Sequence, residues 1–370
     1  MVDSGTMASV ETRLLGRTGL AVSALGFGCG SQGGLFVRGA PAEQVRTAAR
    51  AIEAGVSYFD TAPSYGDGRS EENLGRTLRE LGAAVRVGTK VRVAPGELWE
   101  APAAVRRSLE ASLGRLRRES VDLLQLHSRV TLEQGTRGGS LTPEDVLGPV
   151  LEGMRAVQAA GLARFIGLTA LGDTEALRRV LAAGVFDTAQ VYFNALNPSA
   201  GYPTEPPGAQ DYGRLIDAAA AQRMGVLAIR VLAAGAMAGS AGRHPVAAVS
   251  DAALSPGSDY DSDIARAQRL AGLAAELSLE DPLELALRFA LSKPGVSTAL
   301  VGFSDLDHLE AGLRWAERGG LPAGAVARVC TLAAGVPESG SAARPAASSD
   351  RPAAGATPQA GTDWSPPAGQ

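Results

Sequence analysis

Four residues that could transfer a proton together lie at or just beyond the ends of three consecutive apolar runs. Asp60, Lys90 and His127 each end or follow a run typical of a buried strand, and Tyr65 lies in the loop after the first of these runs. Neighbouring strands lie ~4.8 Å apart, so residues at the ends of adjacent strands can share one pocket. We call these four residues the tetrad, and the sequence predicts that they converge.

The charges of the tetrad indicate a division of roles. A phenol with an ordinary pKa of about 10 is a poor acid at neutral pH, but a neighbouring ammonium lowers that pKa. Lys90 would act on Tyr65 in this way, and Asp60 would hold Lys90 in place. A neutral His127 could orient a carbonyl and stabilise its oxygen as charge develops. The tetrad therefore predicts proton transfer to or from a carbonyl oxygen, which needs a separate hydride source.

Each of these residues also has a structural explanation when taken alone. Asp60 could cap a turn, Lys90 could be a solvated strand end, and His127 could be a hydrogen-bonded rim residue. Their coincidence on three consecutive strand ends favours a shared catalytic function.

Eight apolar runs alternate with amphipathic segments between Leu25 and Trp315. The predicted strands are Leu25–Gly28, Val56–Phe59, Val85–Gly88, Val121–Leu126, Phe165–Leu168, Thr188–Tyr192, Gly225–Val231 and Val296–Val301. Predicted helices begin after Pro41, Ser70, Pro102, Pro143, Asp173, Asp211 and Ile264. This α/β pattern predicts a (β/α)8 TIM barrel, with an open doubly wound sheet as the alternative.

The segment 13–22 has two short apolar pieces on either side of Gly16 to Gly19 and predicts an N-terminal β-hairpin under the barrel floor. We predict a disordered N-terminus over residues 1–12, the barrel over 13–335 and a disordered tail over 336–370. Trp364 is the only large apolar side chain of the tail, which leaves a docking segment as the alternative interpretation.

Composition narrows the classes of partner. The chain has 370 residues, with 35 Lys and Arg against 39 Asp and Glu, and its net charge of −4 disfavours nucleic acid and anionic membranes. Its two cysteines, Cys29 and Cys330, show no spacing of a disulfide framework or a zinc site, and we predict no metal. No apolar run reaches the ~18 residues of a membrane helix. We therefore expect a cytoplasmic protein with a small-molecule substrate, and the sequence does not indicate its oligomeric state.

Four motifs carry a resemblance to a known family. They are GVSYFDTAPSYG at 55–66, SEENLG at 70–75, GTKV at 88–91 and VDLLQLH at 121–127. In this order they resemble the aldo-keto reductase family, over roughly residues 13–330. The resemblance implies a (β/α)8 barrel, NADP(H) or NAD(H) as cofactor, and the tetrad as catalytic residues with Tyr65 as proton donor.

The same resemblance implies where the nicotinamide half of the cofactor binds. Gln190 matches the glutamine that binds the carboxamide. Residues 167–170 read GLTA where many members have Gly-Val-Ser-Asn, so Thr169 keeps a hydroxyl at the position of the serine. Leu232 lies in a stretch at 229–235 that replaces the more frequent Tyr-Ser-Pro-Leu and lacks its aromatic ring. Arg230 is unexpected there and is either structural or in contact with an anionic group.

The last predicted strand leads into the expected site for the adenosine end of the cofactor. The candidate residues there are Gly302, Phe303, Ser304 and His308. Ser304 and Asp307 match a capping box that opens a helix, and a helix N-terminus suits a phosphate. Asp305 would either repel a 2′-phosphate and favour NAD(H), or serve the helix and leave NADP(H) binding possible.

A glycine-rich stretch at the end of the first predicted strand matches a nucleotide-binding motif. The stretch 28–33 reads GCGSQG and matches the GxGxxG fingerprint of a Rossmann unit. A true fingerprint opens directly into a helix, whereas residues 34–41 intervene here. These glycines are better explained by a close approach of the first βα loop to a ligand.

The substrate is only weakly encoded. Insertions at 196–212 and 236–263 should wall the pocket. Their prominent side chains are Tyr202, Arg243, His244 and Tyr260. Aromatic residues make up 5% of the chain, which favours polar carbonyls or sugars over steroids. The stretch GLTAL at 167–171 also resembles the branch with sugar dehydrogenases, so oxidation of a sugar hydroxyl stays open.

Two functions other than an oxidoreductase also fit parts of this pattern. A barrel lysine among polar residues could form a Schiff base, which would make the protein a lyase that uses Lys90. A reductase-like barrel could also be a non-catalytic, cofactor-sensing partner protein, with the tail as its interaction arm. Retention of Tyr65, Lys90 and His127 together disfavours the cofactor-sensing protein.

Overall fold

Eight apolar runs form the parallel strands of a closed barrel. The computed structural model describes residues 10–136, 139–205, 207–248 and 259–335. The barrel strands are β3 Leu25–Gly28, β4 Tyr58–Asp60, β5 Arg86–Val91, β6 Val121–Leu126, β7 Ala163–Thr169, β8 Thr188–Tyr192, β9 Gly225–Ile229 and β10 Val296–Gly302. They pair in chain order, and β10 closes on β3. The predicted (β/α)8 barrel is confirmed, and the open sheet is excluded.

The strands form because nearly every residue in them is buried, either against the helices outside or within the barrel. Three of the eight predicted strands have their predicted bounds, and the others shift by one to three residues. The strand β9 ends at Ile229 instead of Val231, because Arg230 has a φ of +58° and leaves the extended conformation.

Helices cover the outside of the barrel. They are α1 Leu35–Arg38, α2 Pro41–Glu53, α3 Arg69–Leu81, α4 Ala101–Leu116, α5 Pro143–Asp145, α6 Leu151–Ala159, α7 Thr174–Ala182, α8 Leu215–Ala221, α9 Tyr260–Glu276, α10 Pro282–Ser292, α11 Leu306–Glu317 and α12 Ala323–Ala333. Proline occupies the first turn of α2, where its missing N–H costs nothing. The helix α9 begins at Tyr260, ahead of the predicted Ile264, because Asp259 accepts a hydrogen bond from Ser262 N at 2.8 Å.

The predicted N-terminal hairpin is confirmed. Strands β1 Thr12–Leu14 and β2 Ala21–Ser23 pair in antiparallel fashion. The residues Leu15, Leu20 and Val22 pack into a buried cluster with side chains from inside the barrel. A Cβ on Gly16 would lie 2.2 Å from Gly225 N, at the start of β9. The hairpin therefore closes the amino-terminal end of the barrel and leaves the opposite end free for a site.

The packed chain begins slightly ahead of the predicted boundary at residue 13. Val10 is buried, and its N–H donates to Ala54 O at 3.1 Å. The remaining boundaries stay predictions, because residues 1–9 and 336–370, with Trp364, lie outside the described residues. Within the described part of the chain, no helix is long and apolar enough to cross a membrane.

Candidate active site

The tetrad lies at the carboxyl-terminal end of the barrel. Asp60 is the last residue of β4 and Lys90 lies in β5. His127 follows β6, and its N–H donates to Val91 O at 2.7 Å. Asp60, Tyr65 and His127 line a cleft of about 1630 Å³. The predicted convergence is confirmed, at the end where barrel enzymes carry their active sites.

A buried ion pair anchors the tetrad. Lys90 is 2% exposed, and its Nζ donates to Asp60 Oδ2 and, at 2.7 Å, to Thr61 O. Tyr58 OH donates to Asp60 Oδ1 at 3.2 Å. Burial lowers the pKa of Lys90, but the attraction of Asp60 and Tyr65 outweighs it, and the pKa rises above its usual value. Lys90 is therefore an ammonium at neutral pH, held in place by Asp60.

Tyr65 lies directly beside this ammonium. Lys90 Nζ is 4.7 Å from the centroid of the Tyr65 ring. Burial raises the pKa of Tyr65, Lys90 lowers it, and the net pKa lies above the usual value. The prediction of a lowered pKa is therefore wrong in its net direction, because burial opposes the charged phenolate more than one ammonium supports it. Tyr65 is a neutral phenol at neutral pH, able to donate its proton.

His127 faces Tyr65 across the mouth of the pocket. The two rings are perpendicular, with centroids 6.2 Å apart. Burial lowers the pKa of His127 to about 2, with smaller contributions from Lys90, Arg92 and Arg129. The imidazole is therefore neutral at physiological pH, as predicted, and can donate one hydrogen bond.

Thr169 and Gln190 extend the hydrogen-bond network of the tetrad. Gln190 Nε2 donates to Asp60 Oδ1 at 2.6 Å, and Gln190 Oε1 accepts from Thr169 Oγ1 at 3.1 Å. Both side chains are buried and line the cleft. Their polar atoms thus orient Asp60, a contact that the sequence did not indicate.

The stretch after β9 forms a strained turn at the edge of the cleft. Arg230, Ala233 and Ala234 all have a positive φ, at 58°, 50° and 51°. Leu232 lines the cleft, as predicted. The guanidinium of Arg230 lies 5.8 Å from the centroid of the Tyr192 ring.

The other end of the cleft joins β10 to the first βα loop. Gly302, Phe303, Ser304 and His308 all line the cleft. A Cβ on Gly33 would lie 2.4 Å from Gly302 C, so glycine is required for the two backbones to meet. This close approach explains the GCGSQG stretch without a Rossmann unit. We call this region the adenosine end, after the role that the resemblance implies.

The predicted capping box of Ser304 and Asp307 is wrong. Ser304 Oγ donates to Gly33 O at 2.7 Å and ties the two loops together. Asp305 caps α11 instead, because its Oδ1 accepts from His308 N at 2.8 Å. Its Oδ2 lies 3.3 Å from His244 Nε2. Of the two orientations considered for Asp305, the structure has the one that serves the helix.

Within the described residues, the insertions wall the cleft only in part, and residues 206 and 249–258 lie outside the described residues. Arg243 and His244 line it, and Tyr260 OH accepts from Arg243 Nη2 at 2.6 Å. Ala248 N donates to Ser31 O at 2.9 Å, so this insertion reaches the first βα loop. Tyr202 and Tyr260 do not line the cleft, contrary to the prediction.

The aromatic core explains the position of Tyr202. Its ring packs against Phe193 and Phe289, with centroid distances of 6.0 and 5.7 Å. The prediction that Tyr202 walls the pocket is therefore wrong, because its ring packs against these two aromatic rings instead of lining the cleft.

Two cleft residues were missed by the sequence reasoning. Arg92 and Arg129 both line the cleft. Each comes two residues after a member of the tetrad, Lys90 and His127 respectively. That shared spacing was the signal that could have found them.

Comparisons with known proteins agree with this geometry. A model of the aldo/keto reductase family matches residues 24–333. The chain is 36% identical to the L-galactose dehydrogenase of Arabidopsis thaliana over 169 residues, 45% of this chain and 50% of that protein. It is 28% identical to a D-threo-aldose 1-dehydrogenase of Pseudomonas sp. over 198 residues, 47% of this chain and 57% of that protein. The chain thus spans about half the length of these curated relatives.

Solved structures show the same fold. An aldo-keto reductase from Bacillus halodurans in its holo form has a TM-score of 0.65 and 22% identity, over 89% of this chain and 99% of that chain. An aldo-keto reductase from Klebsiella pneumoniae in complex with NADPH has a TM-score of 0.62 and 23% identity, over 89% and 97%.

Proposed function

The chain belongs to the aldo/keto reductase family, and we propose that it interconverts a carbonyl compound and an alcohol with NADP(H) or NAD(H). The observation that carries this proposal is the tetrad itself. A phenol, a buried ammonium held by a carboxylate, and a neutral imidazole meet in one cleft. This set of groups suits proton exchange with a carbonyl oxygen.

The residues of the cleft fit a nicotinamide dinucleotide. The cleft runs from the tetrad to the adenosine end, where Gly28, Gly30, Gly33 and Gly302 line it. Gln32 also lines the cleft, and its Oε1 is buried with no hydrogen-bond partner in the described chain. A buried oxygen of this kind calls for a ligand or water.

We assign the candidate cofactor contacts along that path. Thr169, Gln190 and Leu232 would lie beside the nicotinamide half of the cofactor. The adenosine end would be held by Gly302, Phe303, Ser304 and His308. When bound, the nicotinamide would supply or accept the hydride.

The residues of the tetrad transfer the proton to the carbonyl oxygen. Tyr65 donates its phenolic proton to the carbonyl oxygen, and Lys90 stabilises the phenolate that remains. Asp60 keeps Lys90 charged and in position. His127 donates a hydrogen bond to the same oxygen and orients it. For oxidation of an alcohol, the phenolate takes the proton back.

The Schiff-base lyase finds no support in the state of Lys90. A nucleophilic amine must be neutral, whereas Lys90 has a raised pKa and donates to Asp60 and Thr61. Borohydride reduction in the presence of an aldehyde should therefore leave Lys90 unmodified in a peptide mass spectrum. An adduct on Lys90 would favour the lyase.

The names of two relatives indicate a substrate class. The similar proteins from Arabidopsis thaliana and Pseudomonas sp. are named as dehydrogenases of L-galactose and D-threo-aldose. We therefore include sugars beside small aldehydes among the candidate substrates. The cytoplasmic location stays a prediction.

Turnover of the nicotinamide tests the proposal. The purified full-length chain is mixed with NADPH or NADH and a panel of small aldehydes, or with the oxidised cofactors and sugars, and the nicotinamide absorbance is followed. We expect substrate-dependent loss or gain of the reduced cofactor. Tight cofactor binding without turnover of any substrate would favour the cofactor-sensing protein.

A further inference from the structure

Among the described residues, three arginines line the cleft without a polar partner there for their guanidinium groups. They are Arg92, Arg129 and Arg230. Within the described residues, none of the three side chains makes an ion pair or a hydrogen bond. The guanidinium of Arg230 has one cation–π contact there, with the ring of Tyr192. By contrast, Arg115, which lies outside the cleft, forms an ion pair with Glu71, with 2.6 Å between Arg115 Nε and Glu71 Oε2.

The acidic side chains of the cleft do not balance these three charges. Asp60 is paired with Lys90. Glu97 is the other carboxylate among the described lining residues, and its Oε2 accepts from Ala94 N at 2.8 Å. A chain with a net charge of −4 therefore presents unbalanced positive charge at this one cleft.

The positions of these arginines place that charge beside the tetrad. Arg92 and Arg129 follow β5 and β6, which lie across the closed barrel from β9 and β10. Both act on His127 and help to lower its pKa. Arg129 and Arg230 both act on Tyr212, another lining residue. All three arginines therefore line the same cleft as Tyr65 and His127, and each acts electrostatically on one of these two residues.

We infer that the substrate carries an anionic oxygen group, a carboxylate or a phosphate, which Arg92, Arg129 and Arg230 bind while the tetrad acts on its carbonyl or hydroxyl. This inference rests on the proposed function. A guanidinium presents paired N–H donors that match the two oxygens of such a group. The site would select acidic aldehydes or hydroxy acids, including acidic sugars, over neutral analogues.

The phosphates of the cofactor do not account for the two opposite arginines. The contact of Gly33 with Gly302 joins the loop after β3 to the end of β10, whereas Arg92 and Arg129 follow β5 and β6, on the opposite side of the barrel. Arg243 also lines the cleft, but it differs from the three arginines because its guanidinium donates hydrogen bonds to Ala234 O and Tyr260 OH.

A matched pair of aldehydes tests the inference. The acid 4-carboxybenzaldehyde and its neutral ester methyl 4-formylbenzoate share the reacting group and the ring. We expect kcat/KM for the acid to exceed that for the ester by about 10- to 100-fold, the range of a charge-assisted hydrogen bond. Added salt should reduce this ratio, since partly exposed charges are screened.

Variants assign the effect to the arginines. The substitution Arg129→Gln should lower the acid-to-ester ratio about tenfold, and Arg129→Lys should lower it less, because the charge remains. The control is Arg155→Gln, an exposed arginine on α6 outside the cleft, which should leave the ratio unchanged. Equal turnover of acid and ester by the wild type, together with equal turnover of glyceraldehyde 3-phosphate and glyceraldehyde, would overturn the inference.

Two further experiments test a phosphate group and distinguish failure of the inference from failure of the proposed function. Glyceraldehyde 3-phosphate compared with glyceraldehyde tests phosphate in the same way, and a preference in either pair supports the inference. If no aldehyde is turned over, the proposed function fails, and calorimetry with benzoate and benzamide then tests the anion site alone. Tighter binding of benzoate that is lost in Arg129→Gln would support the site, and equal binding would overturn it.

Discussion

At the tetrad end of the cleft, polar side chains project from neighbouring strands and bind one another. At the adenosine end, they extend from a loop and a helix terminus and bind the backbone. Lys90 is 2% exposed and pairs with a second buried charge. The side chains of Asp305 and His308 are 28% and 54% exposed. The difference indicates that changes at the first end should damage chemistry or, at the buried ion pair, stability, whereas changes at the second should mainly alter affinity.

The largest expected effect is on chemistry at the tetrad end. We expect Tyr65→Phe to lose about two to four powers of ten in turnover, the usual contribution of a general acid. Its melting temperature and its affinity for the cofactor should stay close to those of the wild type. Stopped-flow nicotinamide absorbance measures the chemical step, and cofactor fluorescence measures binding. Turnover at the wild-type level would show that another group donates the proton.

The buried ion pair gives the next largest effect, on stability. Lys90→Met leaves Asp60 buried without its charge partner, so we expect a loss of about 3–5 kcal/mol in the free energy of unfolding. The double variant Asp60→Asn with Lys90→Met should recover much of that loss, because no unpaired charge remains. Urea unfolding of both variants measures the coupling. A single variant as stable as the wild type would contradict the account of this pair.

The low pKa of His127 predicts a smaller, pH-dependent effect. The folded-state pKa of about 2 lies below the unfolded value of about 6.5, so its contribution to stability is present above pH 6.5 and falls as the pH decreases. Between pH 6.5 and pH 5 the wild type should lose about 1–2 kcal/mol more than His127→Gln. His308→Gln, at a more exposed histidine, is the control and should follow the wild type. Parallel losses in all three proteins would contradict a buried neutral imidazole.

The smallest expected effect concerns the adenosine end. Asp305 caps α11, and its Oδ2 lies 3.3 Å from His244 Nε2, between two residues, Ser304 and His308, that line the adenosine end of the cleft in its place. We expect no strong preference for NADP(H) in the wild type, and a shift toward it of about tenfold, or ~1.4 kcal/mol, in Asp305→Arg. Dissociation constants for both cofactors measure the shift. A wild-type preference for NADP(H) above ~100-fold would show that other residues bind the phosphate.

The same contrast explains which features could be predicted from the sequence. The strands and the tetrad follow from local apolar runs, because parallel strands bring their carboxyl ends to one rim. The hydroxyl of Ser304 could not be assigned, since its partner, Gly33 O, is 271 residues away in the chain. Tyr202 was misplaced for a similar reason, because its partners Phe193 and Phe289 belong to the core. The net pKa of Tyr65 depended on its burial, which the sequence does not specify.

The path of the hydride tests the central claim most directly. The chain is incubated with an aldehyde and reduced cofactor deuterated at either face of nicotinamide C4, and the alcohol product is examined by mass spectrometry. We predict deuterium on the carbinol carbon from one of the two labelled cofactors, and a sharp loss of labelled product in Tyr65→Phe. Conversion of the aldehyde with no deuterium in the product from either cofactor would contradict hydride transfer in this cleft.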